Sequence, residues 1–286
     1  MEPSLLQILF LGLVQGAAEL LPVSSSAHVI VAEKLMGLDP SSPAMTFLLV
    51  MLHTGTMVAV IAYFWKAWKK TFFVSAESLM STIWHVGIAT AATLVVGGAL
   101  KILIEKIFMR GTSHNEIEDL FGHLPLIGGA LLAAGLLILT TGLLRRNNGT
   151  QELNLSSSFW IGASQGLCLP FRGLSRSGTT ISTGVLLGIN RQRVEEFSFA
   201  LAVVITPPAI AQELMRLLKS HTEAASPHVL LHLIGPGLFG MVGAFVAGIL
   251  ALRLLSSWLE KGHWAWFGYY CIAFSGVVFF LASRGY

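Results

Sequence analysis

The sequence predicts an all-α polytopic membrane protein built as an inverted repeat. Each repeat holds one re-entrant helical hairpin plus three transmembrane helices, giving six full spans and two hairpins. Three observations carry this. The 286 residues are 54% hydrophobic and only 12% charged, with a mean hydropathy of +0.72, whereas soluble domains carry about 25% charged residues. Apolar runs near the ~20 residues that cross a bilayer recur along the whole chain. The pattern also starts again halfway. Leu11-Gly12-Leu-Val-Gln15-Gly16 is echoed by Ile161-Gly162-Ala-Ser-Gln165-Gly166, and the same offset of 150 residues carries Ser25 onto Ser175 and Phe47 onto Phe197.

A single membrane domain, 1–286, therefore divides into a first repeat over 1–144 and a second over 156–286. The first begins with a hairpin at 4–37. Residues 4–21 form an apolar helix and Ser26–Met36 a second, short one ending at Gly37, and neither reaches span length. Pro22 separates them, because a residue before proline is pushed out of the α region. Broken backbone at membrane depth needs protein or a cavity around it. Spans at 46–65, 82–104 and 124–144 follow. The first ends in Trp65-Lys66-Ala-Trp68-Lys69-Lys70, an interfacial aromatic and basic anchor. The loop 105–123 mixes Glu116, Glu118 and Asp119 with Lys106, Arg110 and two histidines. Arg145-Arg146 stops the third span. The second repeat opens with a hairpin at 158–188, interrupted by Pro170-Phe-Arg172-Gly-Leu-Ser175-Arg176-Ser177-Gly178-Thr179-Thr180. Spans at 197–218, 229–255 and 264–283 complete it.

Charge placement supports the inversion. With Lys66–Lys70 on the cytoplasmic side, three spans per half turn the second repeat over. Arg145/Arg146, Arg191/Arg193 and Arg253/Lys261 then fall on that same side, as the positive-inside rule asks. The acid-bearing loops at 33–39, 105–123 and 213–223 and both termini fall outside. They also carry Lys34, Lys101, Lys106, Arg110, Arg216 and Lys219, so the bias is moderate. The net charge of +3 calls for no nucleic-acid partner, and membrane lipids are the surroundings expected. Cys168 and Cys271 lie far apart in apolar segments, against a disulfide framework. Met1-Glu2-Pro3 lacks the basic start of a signal peptide, so the first apolar segment is expected to stay. Asn148-Gly-Thr150 fits a glycosylation sequon, as many unmodified loops do.

Chemistry concentrates at the two interruptions. In the stretch Gln15 to His28, Gln15 and Glu19 are four apart and share a helix face. Ser24, Ser25 and Ser26 suit the start of the next helix, where free backbone N–H groups and the dipole favour an anion. An ionisable residue at membrane depth is costly and marks a site by default. Glu19 can serve as a base, bind a metal with Gln15, or pair with Arg176. Ser25 and His28 are both candidate nucleophiles. The second interruption reads as an oxyanion cradle. Ser175, Ser177, Gly178 and Thr180 supply hydroxyl and backbone donors, while Arg176 supplies a guanidinium that matches phosphate oxygens bidentately. Arg172 is either a second contact or interfacial. Of the scattered histidines, His53 is the best candidate for a role. Gly12-x-x-x-Gly16 and Gly162-x-x-x-Gly166 are expected to pack the two hairpins together.

At these residues the chain resembles the undecaprenyl pyrophosphate phosphatase family, the bacitracin-resistance type of bacterial membrane phosphatase. The resemblance rests on Gln15-x-x-x-Glu19, Leu21-Pro-Val-Ser-Ser-Ser-Ala-His28, Gly173-Leu-Ser-Arg-Ser-Gly-Thr-Thr180 and Glu196-Phe-Ser-Phe199, in that order. Two positions depart from the common pattern. Phe171 and Arg172 stand between Pro170 and Gly173, and Gln15 replaces the first acid. The resemblance implies hydrolysis of a polyprenyl diphosphate lipid to the monophosphate, which recycles the carrier of peptidoglycan synthesis and confers bacitracin resistance. It also implies a divalent cation, Mg2+ or Ca2+, and a multi-pass location in the bacterial plasma membrane with the site open to the extracytoplasmic side. A homodimer is compatible with it. The rival reading is a lipid-phosphate transporter or flippase without hydrolytic activity, which inverted repeats and broken helices suit equally. The carboxylate speaks against the rival, because binding an anionic head group gains nothing from Glu19.

Overall fold

The computed structural model describes residues 3–39, 42–108, 122–144, 149–219 and 227–285. These form ten α-helices: α1 Leu5–Leu20, α2 Ser25–Leu35, α3 Pro43–Thr71, α4 Ala76–Phe108, α5 Leu124–Leu144, α6 Leu155–Leu167, α7 Arg176–Leu186, α8 Arg191–Lys219, α9 Pro227–Glu260 and α10 Trp264–Ser283. One isolated bridge, Gln151 to Ile189, is the β pairing among the described residues. Six helices (α3, α4, α5, α8, α9 and α10) are long and apolar enough to cross a membrane, as a multi-pass membrane protein requires. Large side chains such as Trp84, Val95, Leu250 and Phe280 are exposed on their outer faces. Most of the 105–123 loop, Arg145-Arg146 and Asn148 lie outside the described residues.

Two short helices followed by three long ones occur in each half. The α1 and α6 helices start 150 residues apart, and both start for the same reason. Ser4 and Asn154 each accept a bond from a backbone N–H three residues on, and Gln7 and Ser157 bond back to the cap. Such a reciprocal box is worth about 1 kcal/mol. The offset is 140 for the last pair, from Leu124 to Trp264.

Several helices outrun the apolar windows that predict them. Ser42 caps α3 with Pro43 at its first position, and the helix continues past Trp65 through Lys69 and Lys70. The α8 helix begins at Arg191 because Asn190 Oδ1 accepts from the N–H groups of Gln192 (3.0 Å) and Arg193 (3.4 Å). Its first two turns are charged, so hydropathy alone starts the helix at 197. Pro207 and Pro208 are accommodated inside it.

The halves interlock. The α1 helix lies on α9 and α6 on α4, α3 touches α9 and α8 touches α4, while α5 pairs with α10 and α3 with α8. Exchanging the halves returns the same pairings. The glycine faces explain this and correct an expectation. They do not press the two short-helix pairs together. Each seats its helix on a long helix of the opposite half. A β-carbon at Gly12 or Gly16 would collide with the α9 backbone at Gly240 or Ala244, and one at Gly162 with the α4 backbone at Ala89. Small residues thus allow backbone-to-backbone approach. Around this frame Phe64, Ile127, Ile138, Ile181, Phe197, Phe199 and Trp264 build the core from both halves.

Candidate active site

The break after α1 forms because Leu21 and Pro22 cannot continue the helix. The chain then passes through Ser24 at φ 69°, the one non-glycine residue with positive φ among those described. That conformation costs on the order of 1–3 kcal/mol and persists only when its surroundings enforce it. It turns the start of α2 back on the end of α1. The Ser25 hydroxyl donates to Glu19 Oε2 at 2.5 Å. The Gln15 amide donates to the same oxygen at 3.4 Å, one helical turn earlier on α1.

The break after α6 has a different construction. Gly173, at φ 111°, passes so close to the Ile127 carbonyl of α5 that a β-carbon would collide with it. Ser175 then caps α7, its hydroxyl accepting from Gly178 N–H at 3.2 Å. Arg176 is the first residue of that helix.

The two breaks meet. Arg176 Nη2 donates to Glu19 Oε1 at 3.0 Å, an ion pair joining the halves across 157 positions of sequence. Gly173 N–H donates to Ser26 Oγ at 3.2 Å, and Ser177 Oγ donates to the Leu21 carbonyl at 3.3 Å. A cavity of about 270 Å³ opens between them. Glu19, Ser24, Ser25 and Ser26 line it from one break, and Arg172, Ser175, Arg176 and Ser177 from the other. One end of Arg176 holds Glu19. Its other nitrogen, Nη1, is buried with no hydrogen-bond partner among the described residues. A carboxylate, a hydroxyl bonded to it and a half-satisfied guanidinium face one small chamber. That arrangement can activate an oxygen nucleophile and hold an anion beside it.

The candidates from the sequence divide. Glu19, Ser24, Ser25, Ser26, Ser175, Arg176 and Ser177 line the cavity. Gln15 stands behind Glu19. Thr180 does not face the chamber. It is fully buried, donates to the Arg176 carbonyl at 2.8 Å and bonds Ser198 Oγ of α8 at 2.6 Å, which fixes α7 in place. Gly178 contributes its N–H to the α7 cap and leaves no room for a side chain beside Ile138.

His28 lies elsewhere. Its ring stacks on Phe274 of α10 at 4.0 Å between centroids, with Nδ1 at 2.8 Å from the Ser24 carbonyl and Nε2 at 2.7 Å from the Tyr270 hydroxyl. Both nitrogens are engaged, and the ring lines an apolar pocket rather than the polar cavity. It ties α2 and the strained Ser24 peptide to α10.

His53, Gln165 and Arg172 also line the cavity. Arg172 interacts as well with the buried Glu33 of α2. Gln165 was legible only as the repeat partner of Gln15.

Glu19 is the one carboxylate among the cavity-lining residues, and no group of three or more His, Cys, Asp or Glu side chains converges among the described residues. Gln15 turns its amide nitrogen to Glu19 and does not line the cavity, so the side chains facing the chamber offer a hard cation Glu19, with its remaining ligands taken from phosphate oxygens and water. Magnesium characteristically binds in that way.

With this geometry in hand, the comparisons with known proteins agree on one family. The family of the bacitracin resistance protein BacA matches residues 8–277. The chain is 58% identical to Undecaprenyl-diphosphatase 2 of Acinetobacter baylyi, covering 97% of this chain and 98% of that one. It is 32% identical to an undecaprenyl-diphosphatase of Desulfosudis oleivorans over 99% of this chain and 100% of the relative. A third, from Bacteroides fragilis, is 30% identical over 97% of this chain and 98% of its own length. A match of this extent leaves one conclusion: the chain belongs to the bacitracin resistance protein BacA family.

Proposed function

We propose that this protein hydrolyses undecaprenyl diphosphate, or a close polyprenyl diphosphate, to the monophosphate and inorganic phosphate. It thereby returns the lipid carrier to cell-wall synthesis and confers resistance to bacitracin. The names carried by the relatives support the substrate and the reaction. The observation that carries the chemistry is Glu19, which accepts from the Ser25 hydroxyl at 2.5 Å while its other oxygen is held by Arg176 at 3.0 Å.

The terminal phosphoryl group of the substrate enters the cavity between the two breaks. Ser25 Oγ attacks its phosphorus as the Oγ proton passes to Glu19 Oε2. The bond from that phosphorus to the bridging oxygen breaks, and the prenyl monophosphate leaves carrying the proton from Glu19, which is a carboxylate again. Arg176, through its unpartnered Nη1, and the N-terminal turn of α7 stabilise the charge that spreads over the equatorial oxygens. Water then opens the Ser25 phosphoester and restores the hydroxyl. A divalent cation, Mg2+ or Ca2+, with Glu19 as its protein ligand would neutralise part of the diphosphate charge. One carboxylate with substrate oxygens suits Mg2+ better than Ca2+.

The prenyl chain has an apolar path. A pocket of about 710 Å³ lined by Val14, Ala17, Leu21, Trp258 and Tyr270 shares Ala18 with the polar cavity. The helix pairs α1–α2 and α6–α7 are re-entrant hairpins of inverted repeats, one entering from each face of the bacterial plasma membrane. Their span-deficient lengths of 16, 11, 13 and 11 residues support this. The basic end of α3 at Lys69 and Lys70 is cytoplasmic by the positive-inside rule, and the cavity opens to the extracytoplasmic side. Both breaks come from one chain, so a homodimer would add no catalytic group.

Phosphate release from a polyprenyl diphosphate by the purified protein in detergent tests the reading, with and without EDTA. Detergent abolishes vectorial transport and leaves hydrolysis measurable. Turnover that EDTA suppresses and magnesium restores is the expected result. Binding of the lipid without phosphate release would point to a transporter instead.

A further inference from the structure

Resting on the reading of Ser25 as nucleophile, we infer that Gln165 holds the water that hydrolyses the phosphorylated serine. Gln165 occupies in α6 the position that Gln15 occupies in α1, yet the two amides are wired differently. Gln15 turns its Nε2 to Glu19. Gln165 is 1% exposed, lines the cavity with Glu19, Ser25 and Arg176, and donates its Nε2 to Thr93 Oγ1 of α4 at 3.0 Å.

Thr93 decides which end of that amide is which. Its hydroxyl hydrogen is directed at the carbonyl oxygens of Ala89 and Gly162, both at 2.9 Å, so the oxygen has only lone pairs to offer Gln165. The amide nitrogen must face Thr93, and the carbonyl Oε1 is the end left over. That Oε1 is buried and has no hydrogen-bond partner among the described residues. A buried acceptor without a donor is uncommon in native proteins, and an ordered water is a usual partner for it. A deprotonated phosphate oxygen has no hydrogen to give it. A water molecule does, and the site has one carboxylate to take the second proton.

The step balances. One hydrogen of the water bonds to Gln165 Oε1 and stays on the oxygen that attacks the phosphorus of phospho-Ser25. The other passes by way of Glu19 to Ser25 Oγ as the P–Oγ bond breaks. Inorganic phosphate leaves, and the serine hydroxyl is restored.

Rapid-quench measurement of both products tests this, with substrate radiolabelled in the terminal phosphoryl group. Gln165→Met keeps the side-chain length and removes the acceptor. It is expected to release prenyl monophosphate in the first turnover at close to the native rate. Phosphate release should lag by at least tenfold, with label accumulating on the protein. A structural defect would slow both products together, and that result, or no lag at all, overturns the inference. Should Gln165→Met not fold, Thr93→Val, which frees the amide to rotate, must show a smaller lag of the same kind, and its absence is equally fatal. Ser25→Ala separates the two readings. Normal turnover in that variant removes the nucleophile on which the inference rests. A dead Ser25→Ala beside a lag-free Gln165→Met removes only the role of Gln165.

Discussion

The two breaks are repeat partners with unequal duties. Ser25 and Ser175 correspond at the 150-residue offset, yet Ser25 bonds a carboxylate while Ser175 spends its hydroxyl capping α7. The first break turns on a strained serine, Ser24, and the second on a glycine, Gly173, in a conformation that costs glycine little. The first brings the carboxylate and the hydroxyl bonded to it, and the second brings the guanidinium and a helix start. Two repeat-related breaks thus approach one point, and in the proposed mechanism the difference of a few side chains splits the chemistry between them.

Substitution of the paired serines tests this contrast most sharply. Ser25→Ala is expected to lower phosphate release by about a thousandfold or more, as loss of a covalent nucleophile does. Ser175→Ala removes only a cap, worth about 1 kcal/mol, and should lower thermal stability while leaving activity within tenfold. Equal loss of activity in both would mean that the two serines do not differ in duty. Glu19→Gln removes the proposed base and leaves Arg176 without its counter-charge. A loss of roughly 10²–10⁴ in turnover follows from the first effect, read in the same assay. Arg176→Lys keeps the charge but not the fork that holds Glu19 and phosphate together, and a fall of about a hundredfold is expected.

The smallest effect belongs to His28. With both ring nitrogens engaged and its ring stacked on Phe274, it secures the first break against α10. His28→Ala should lower the melting temperature by a few degrees, since an aromatic pair contributes about 0.5–1.5 kcal/mol. Its turnover should fall less than that of Ser25→Ala by at least tenfold. Complete inactivity of a variant with native stability would return His28 to the chemistry.

Much of this was legible in the sequence because the signals are local. Period and length mark the apolar helices, Pro22 and the Pro170–Gly173 run mark the breaks, and an offset of 150 aligns the starts of the two halves. Pairing of Glu19 with Arg176 was readable as charge economy in lipid, where each would otherwise be left unpaired. What local signals do not carry is the choice of neighbour. The glycine faces at Gly12 and Gly162 announce close packing but not that α9 and α4 receive them, which depends on how the halves interlock. His28 has the right chemistry in the right motif, and only the position of Tyr270, 242 residues later, removes it from the cavity. The α8 start was hidden because its first turns are charged and held by the Asn190 cap rather than by hydropathy.

In the proposed mechanism Ser25 of one break and Arg176 of the other act as a unit on one phosphoryl group. A double-mutant cycle on phosphate release, using Ser25→Ala, Arg176→Ala and the pair together, measures this directly. Groups that act as a unit have non-additive losses, so the double variant should be little worse than the poorer single one. Losses that simply multiply, or near-native turnover in either single variant, would contradict it.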